Sequence, residues 1–315
     1  MPRVLITGVL GMIGQALCKK LLQSGEYAVD GIDIKTKPDE NMLSGLRYIK
    51  ADIRDRESIE KIVTIGNYDF IVHLAAISRV VEGERDKRKC IQTNYIGTKN
   101  FVDSIKEKSP ATHLIFASSR EVYGEQEVLP VPETAELLPL NVYGFYKLWA
   151  EKYVREQLSR NTILRFCNVY GSIHDIPGRV IPNFIRRSLS GEQLVIEGGR
   201  QVIDFTYIDD TIWAIERCLK LIPSGSIDRE AITISPGEGH TLQDIVGIIG
   251  RSLGHKIKTI VNPERDYDVQ RFIADPSKRK KLLGDRTFVS LEDGIRKTIE
   301  LYDKNHLRLF LDTHA

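Results

Sequence analysis

Cysteine is scarce: four in 315 residues, Cys18, Cys90, Cys167 and Cys218, all far apart. Such spacing makes neither a disulfide framework nor a metal-ligand cluster, so no metal is expected. A reducing compartment, the cytoplasm, is the expected setting. No apolar run approaches the length of a membrane span, which excludes a helical membrane protein. Strand-like residues begin at Val4 with no charged start and apolar stretch before them, so no signal peptide is expected. Charge of one sign is also lacking. The 45 Lys and Arg against 43 Asp and Glu leave +2, too weak a field to suggest nucleic acid or an anionic membrane. The one dense basic run, residues 84–89, is mixed in sign and reads as a solvated loop or helix start. There is no internal repeat and no low-complexity segment. At 42% hydrophobic, the chain can bury the core of one large α/β unit or of two coupled domains.

The most informative stretch is the first. Val4 to Ile6 reads as a short buried strand, followed at once by Gly8, Gly11 and Gly14. Met12, Ile13, Ala16, Leu17, Leu21 and Leu22 then recur at helical spacing. Strand, glycine turn and helix begin a βαβ unit, whose helix N-terminus offers N–H groups to a pyrophosphate. Gly8 allows the tight turn, Gly11 the approach of phosphate, and Gly14 close helix–strand packing. Asp33 ends the next apolar run, 19 residues after Gly14. A carboxylate there accepts from ribose hydroxyls and repels a 2′-phosphate, which favours NAD over NADP.

Strand-like runs alternate with helical patterns through the first half. A polar loop spans 35–44, and a third strand spans 46–50. Asp52 either contacts the adenine or caps the helix holding Ile59, Ile62 and Val63. Residues 70–76 form a strand running into Ala75 and Ala76, where small side chains admit a cofactor. His73 within it reads as a core histidine. A long helix, 89–108, carries Asn94. Residues 114–117 are a strand ending at Ser118 and Ser119. Pro130, Pro132 and Pro139 mark an irregular loop; a helix follows at 143–159 and a strand at 162–166. This alternation predicts a doubly wound parallel sheet, with ligands beyond the strands' C-terminal ends. Further on, 202–208 reads as a strand, 209–221 as a helix capped by Asp209, and 231–234 as a strand. Residues 241–253 read as a Thr-capped helix ended by Gly254, and 290–301 as a last helix.

Tyr143 and Lys147 are four apart at a helix start and share a face. A tyrosine alone is a poor base, but a nearby ammonium stabilises its phenolate. Tyr143 can then take a proton from a substrate hydroxyl as hydride leaves the same carbon. Ser119 would donate to the same oxygen; Ser118 is as readily a backbone cap.

Together, the Gly8/Gly11/Gly14 turn, Asp33, Asp52, residues 73–76, Asn94, Ser118-Ser119 and Tyr143-x-x-x-Lys147 resemble the extended short-chain dehydrogenase/reductases. The subgroup is the NAD-dependent nucleotide-sugar epimerases and dehydratases. Residues 165–171, 204–210, and 265–269 followed by 274–278 extend the likeness over nearly the whole chain. The resemblance implies a Rossmann domain, 1–165 and 201–234, and a smaller discontinuous C-terminal substrate domain, 166–200 and 235–315. It implies NAD contacts from Gly8, Gly11, Met12, Ile13, Gly14, Asp33, Asp52, Ile53, Leu74, Ala75, Ala76, Asn94, Tyr143 and Lys147. It implies a nucleotide-diphosphate sugar on Ser78, Ser119, Arg120, Asn168 and Arg265, and a homodimer through the helices holding Asn94 and Tyr143. Read alone, Arg265 is equally a surface arginine in a charged loop.

Two positions depart from the family pattern. Ile203 stands where an arginine usually precedes the Asp-Phe pair; Arg179, Arg186 and Arg200 are candidate substitutes. Glu121 matches an acidic residue of dehydratases and decarboxylases, but the Asp before it in 4,6-dehydratases is Arg120 here. Glu121 is therefore either a catalytic base or a structural carboxylate that pairs with Arg120 or caps a turn. The expected function is 4-epimerisation of a nucleotide hexose through a 4-keto intermediate. 4,6-Dehydration, C6 decarboxylation and a non-catalytic NAD-binding regulator are the alternatives.

Overall fold

The computed structural model describes residues 1–36 and 43–304. Seven parallel strands form the central sheet: β1 (Arg3–Thr7), β2 (Ala28–Asp33), β3 (Arg47–Lys50), β4 (Phe70–His73), β5 (His113–Ser119), β6 (Asn161–Phe166) and β7 (Ala231–Ile234). Their order is β7-β6-β5-β4-β1-β2-β3, so the winding reverses between β1 and β4. Strands covered on both faces have no polar side to show, which is why β1 and β4 read as continuous apolar runs. Val4, Leu5 and Ile6 are fully buried.

Helices α1 (Met12–Ser24) and α2 (Arg56–Gly66) follow β1 and β3; α3 (Thr98–Lys108) follows β4, and α4 (Val142–Gln157) follows β5. One core joins α1 with α5 (Ile208–Leu221) and the C-terminal helices. The second lies under α2, α3 and α4. A third, smaller cluster joins Val122, Tyr123 and Val131 to Phe272 and Ala274. It pins the proline-marked loop to the C-terminal segment, with Val131 N–H donating to Ile273 O at 2.7 Å.

Several expectations are corrected. The helix expected over 89–108 is three pieces: Lys87–Cys90, a π-helix Ile91–Gly97, and α3. Gly97 lets it approach Ile53, whose Cδ1 would lie 2.6 Å from a Cβ there. The expected strand 202–208 splits into Val202–Asp204 and Thr206–Tyr207, which pair in different small sheets. Asp209 is not a cap: Tyr207 is the N-cap of α5, and Asp209 lies in the first turn, where the helix dipole favours it. Asp55 caps α2 through Ser58 N–H, which ends the capping reading of Asp52. Thr241 does cap its helix, in a box with Asp244. Most of the polar loop 35–44 lies outside the described residues.

Candidate active site

The residues assigned above to NAD, sugar and catalysis, except Asn94, line one cleft of about 880 Å³ at the C-terminal end of the sheet, as does Arg179 but not Arg186 or Arg200. The glycine turn forms one end. Gly8 has φ +67°, and a Cβ on Gly14 would lie 2.3 Å from Gly8 O, so neither tolerates a side chain. Gly11 is the N-cap of α1 without any side-chain cap, and no acid sits in the first turn. The helix's first N–H groups are thus left for an anion. Leu10 N–H and Lys35 N–H both donate to Asp33, at 3.0 and 3.1 Å, which fixes its carboxylate at the end of β2. Asp52 holds Arg54 through Nε and Nη2. Glycines without room for Cβ, an uncapped helix N-terminus and an anchored carboxylate together fit a dinucleotide.

Thr7 Oγ1 accepts from Ala75 N–H at 3.0 Å and bonds His73 Nδ1 at 2.9 Å. His73 Nε2 meets Thr98 Oγ1. Burial drives the imidazole down to about 3, so it stays neutral: a core histidine, as the sequence suggested. Asn94 stands behind the cleft wall. Its Oδ1 accepts from Ile77 N–H at 2.8 Å and its Nδ2 donates to Ile77 O at 3.0 Å. It reaches the cleft only through the segment it holds.

The catalytic candidates sit where β5 meets α4. Asn141 caps α4 by accepting from Gly144 N–H at 2.8 Å, and Val142 N–H donates to Glu84 at 2.8 Å. Gly144 packs against the turn after Ser119; a Cβ there would lie 2.6 Å from Glu121 O. Further along α4, a buried Glu151–Arg165 pair (2.8 Å) ties the helix to β6. This brings Tyr143 to Ser119. Burial pushes the phenol up to about 12; the Ser119 hydrogen bond and the Arg179 charge pull it down, while Glu121 and Cys90 push it further up. Lys147, driven down to about 8 by burial, donates from Nζ to Ala117 O at 2.7 Å. The described cation acting on the phenol is therefore Arg179, which sequence reasoning had placed among candidates for the diphosphate. No motif marks it, because it lies on a loop after β6 and its charge acts on Tyr143 only in the fold.

The substrate candidates line the same cleft. Ser78 Oγ accepts from Arg179 Nη2 at 3.0 Å. Asn168, at φ +31°, donates from Nδ2 to Asp204 O at 2.9 Å. Arg265 is held by Asp268 at 2.8 Å through Nε and Nη2. Of the three arginines weighed against Ile203, Arg179 lines the cleft and Arg186 and Arg200 do not. Glu121 pairs with Arg120 Nη2 at 2.7 Å and accepts from Asn141 Nδ2 at 2.8 Å, so each of its oxygens is engaged. Among the described residues, no group of three or more His, Cys, Asp or Glu could hold a metal, and no helix is long and apolar enough to cross a membrane.

The chain is 28% identical to a probable UDP-glucuronate 4-epimerase of Rhizobium meliloti, over 97% of this chain and 98% of that relative. It superposes with a TM-score of 0.88 on a UDP-glucose 4-epimerase of Thermotoga maritima solved with UDP-glucose, at 30% identity over 96% of this chain and 99% of that one. It also matches a UDP-glucuronic acid 4-epimerase of Bacillus cereus, in complex with UDP-glucuronic acid and NAD, at TM-score 0.86 and 28% identity, over 96% and 99% of the two chains. Residues 4–228 match the pattern of the NAD dependent epimerase/dehydratase family, and the chain belongs to that family of NAD-dependent enzymes.

Proposed function

We propose that the protein is a nucleotide-sugar 4-epimerase, and that the observation carrying this reading is the double engagement of Glu121. An elimination needs a carboxylate free to remove the C5 proton. Glu121 instead faces an arginine on one oxygen and the Asn141 amide on the other. Epimerisation at C4 asks nothing of it. Tyr143 takes the C4 hydroxyl proton and returns it; Ser119 holds that oxygen, and Lys147 supplies positive charge beside the ribose. NAD, held by the glycine turn and Asp33, would supply the hydride acceptor and donor for C4. A regulator that only senses NAD needs no tyrosine–serine pair at a strand end.

The nucleotide-sugar part is assigned to residues 166–200 and 235–315, with Asn168 and Arg265 on the diphosphate. Gly8, Gly11, Met12, Ile13, Gly14, Asp33, Asp52, Ile53, Leu74, Ala75 and Ala76 are assigned to NAD, with Asn94 acting through Ile77. The cytoplasm is the proposed setting, since the four cysteines are buried and lie far apart in the sequence. A homodimer is proposed through α4, whose outer face shows Phe145 and Trp149.

The test is turnover in deuterium oxide over a panel of UDP-, dTDP-, GDP- and CDP-hexoses, with products read by NMR. The expected product is inverted at C4 and unlabelled at C5. A 6-deoxy-4-keto product carrying deuterium at C5 would establish dehydration instead.

A further inference from the structure

We propose that Arg79 and Arg179 form a clasp at the rim of the cleft, one that parts to exchange a nucleotide sugar and that, on closing, carries the Arg179 charge to Tyr143. The inference rests on the nucleotide-sugar reading above; it adds how that site opens and makes Arg79 a positioning residue. Residues 75–79 leave the C-terminal end of β4, and residues 172–179 lead from the short strand Val169–Tyr170 to the helix Val180–Leu189. Both segments line the cleft. Their grip is reciprocal. Arg79 Nη2 donates to Gly178 O at 3.1 Å. Arg179 Nη2 donates to Ser78 O at 3.3 Å and to Ser78 Oγ at 3.0 Å. Among the described residues, these three hydrogen bonds are what joins the two segments. Gly178 makes the contact possible: a Cβ there would lie 2.8 Å from Arg79 Nη2, so the guanidinium rests directly on backbone.

Each arginine has its acid on its own segment or helix, Glu82 at 3.4 Å for Arg79 and Asp175 at 3.6 Å for Arg179. What crosses between the segments is therefore hydrogen bonding to carbonyl and hydroxyl oxygens, with no ion pair to break. The two side chains are 25% and 27% exposed, so they stand where water can replace each bond. The 172–179 loop contains no helix or strand and follows Gly171 at φ +111°, a place where a hinge angle can change. Closure over a ligand excludes water and completes the site only when the ligand is there. Ser78 fits this role, since an oxygen that accepts from Arg179 keeps its own hydrogen to donate to a ligand. The groups around the phenol come from several elements. Ser119 and Glu121 come from the end of β5 and the turn after it, Cys90 from the helix Lys87–Cys90, and Arg179 from the loop. Lys147 shares α4, and Glu84 accepts from Val142 N–H at its start. Arg179 pulls the phenol down, whereas Arg79 is not among the groups that act on it. Any effect of Arg79 on Tyr143 therefore passes through the clasp.

The experiment uses the NAD-loaded enzyme and whichever member of the UDP-, dTDP-, GDP- and CDP-hexose panel it turns over. Release of that nucleotide sugar is timed by stopped flow, and kcat is followed against pH by NMR of the product. Arg79→Ala is expected to speed release about tenfold, as the loss of one charge-assisted hydrogen bond does. It is also expected to move the low-pH limb of kcat to higher pH, because a phenol without the Arg179 charge holds its proton more tightly. Arg179→Met should move that limb in the same direction and further. Arg79→Lys can still donate to Gly178 O and should restore part of both effects. If Arg79→Ala does not fold, Gly178→Ala takes its place, since its Cβ displaces the guanidinium. Wild-type release and a wild-type limb in Arg79→Ala overturn the proposal. So does a change in one readout without the other, because closure and charge would then be separate events; a merely structural role lowers kcat evenly across pH. Turnover of no member of the panel overturns the nucleotide-sugar reading and this inference with it.

Discussion

Tyr143 poses the central problem of the site, because its surroundings oppose the form that does the chemistry. Burial holds the phenol near 12, so the free protein carries it protonated. Catalysis needs positive charge close by, from Lys147, Arg179 and the cofactor. Lys147 is itself marginal: at about 8, its ammonium is half lost at pH 8. Because kcat/KM reports ionisations of the free enzyme, it should fall above about pH 8, and that limb should vanish in Lys147→Met. Tyr143→Phe should cost ~10²–10⁴-fold in kcat with nucleotide-sugar binding retained. Near-normal turnover of Tyr143→Phe would remove the tyrosine from the mechanism. Tyr143, Lys147 and Ser119 were legible because their spacing follows strand and helix periods. The effect of Arg179 on Tyr143 and the Asn141–Glu121 contact were not, since neither follows a motif and each joins groups remote along the chain.

The strand–turn–helix element at the N-terminus was read correctly because every local signal agrees. Its glycines nevertheless do different work. A Cβ on Gly14 would press Gly8 O at 2.3 Å and Val9 Cα at 2.7 Å, so Gly14→Ala must lift α1 from β1. A Cβ on Gly11 meets only Gly8 O at 3.2 Å and would otherwise stand in the phosphate cradle. Gly14→Ala should therefore lower stability by about 1–3 kcal/mol, as overpacking does, and weaken NAD binding as well. Gly11→Ala should weaken NAD binding with little change in Tm. Thermal melts and NAD titration of both variants separate the two roles; equal Tm losses would refute the division. The second half was harder to read for a physical reason. Its strands are two to four residues long and pair with distant segments, as Val202–Asp204 does with Gly239–Thr241 and Arg271–Phe272. Such runs are too short to show a period. The π-helix was hidden likewise, since a single wide turn shifts the face of a helix without changing its composition.

At the scale of the molecule, the outer side of α4 carries apolar surface that the fold itself does not cover. Phe145 and Trp149 are 42% and 43% exposed, on the helix that carries Tyr143 and Lys147 on its inner side. Their rings pack at a tilt of 42°, with centroids 5.0 Å apart, and Tyr146 and Tyr95 meet Trp149 edge-on. Tyr95 belongs to the π-helix that carries Asn94, so the patch spans the two helices expected to meet a second copy. Contiguous exposed aromatics mark interaction surfaces, and a two-fold axis would let the same patch cover itself. Light scattering should therefore give twice the 35.8 kDa of the chain. Trp149→Arg combined with Phe145→Arg sets like charges against each other in a desolvated interface, and should shift the mass to a single chain. Because α4 also seats Tyr143, the proposed catalytic base, the separated variant should lose activity beyond any loss of NAD. A wild-type mass of one chain, or an unchanged dimer in the double variant, would place the contact elsewhere and leave this aromatic face without a partner.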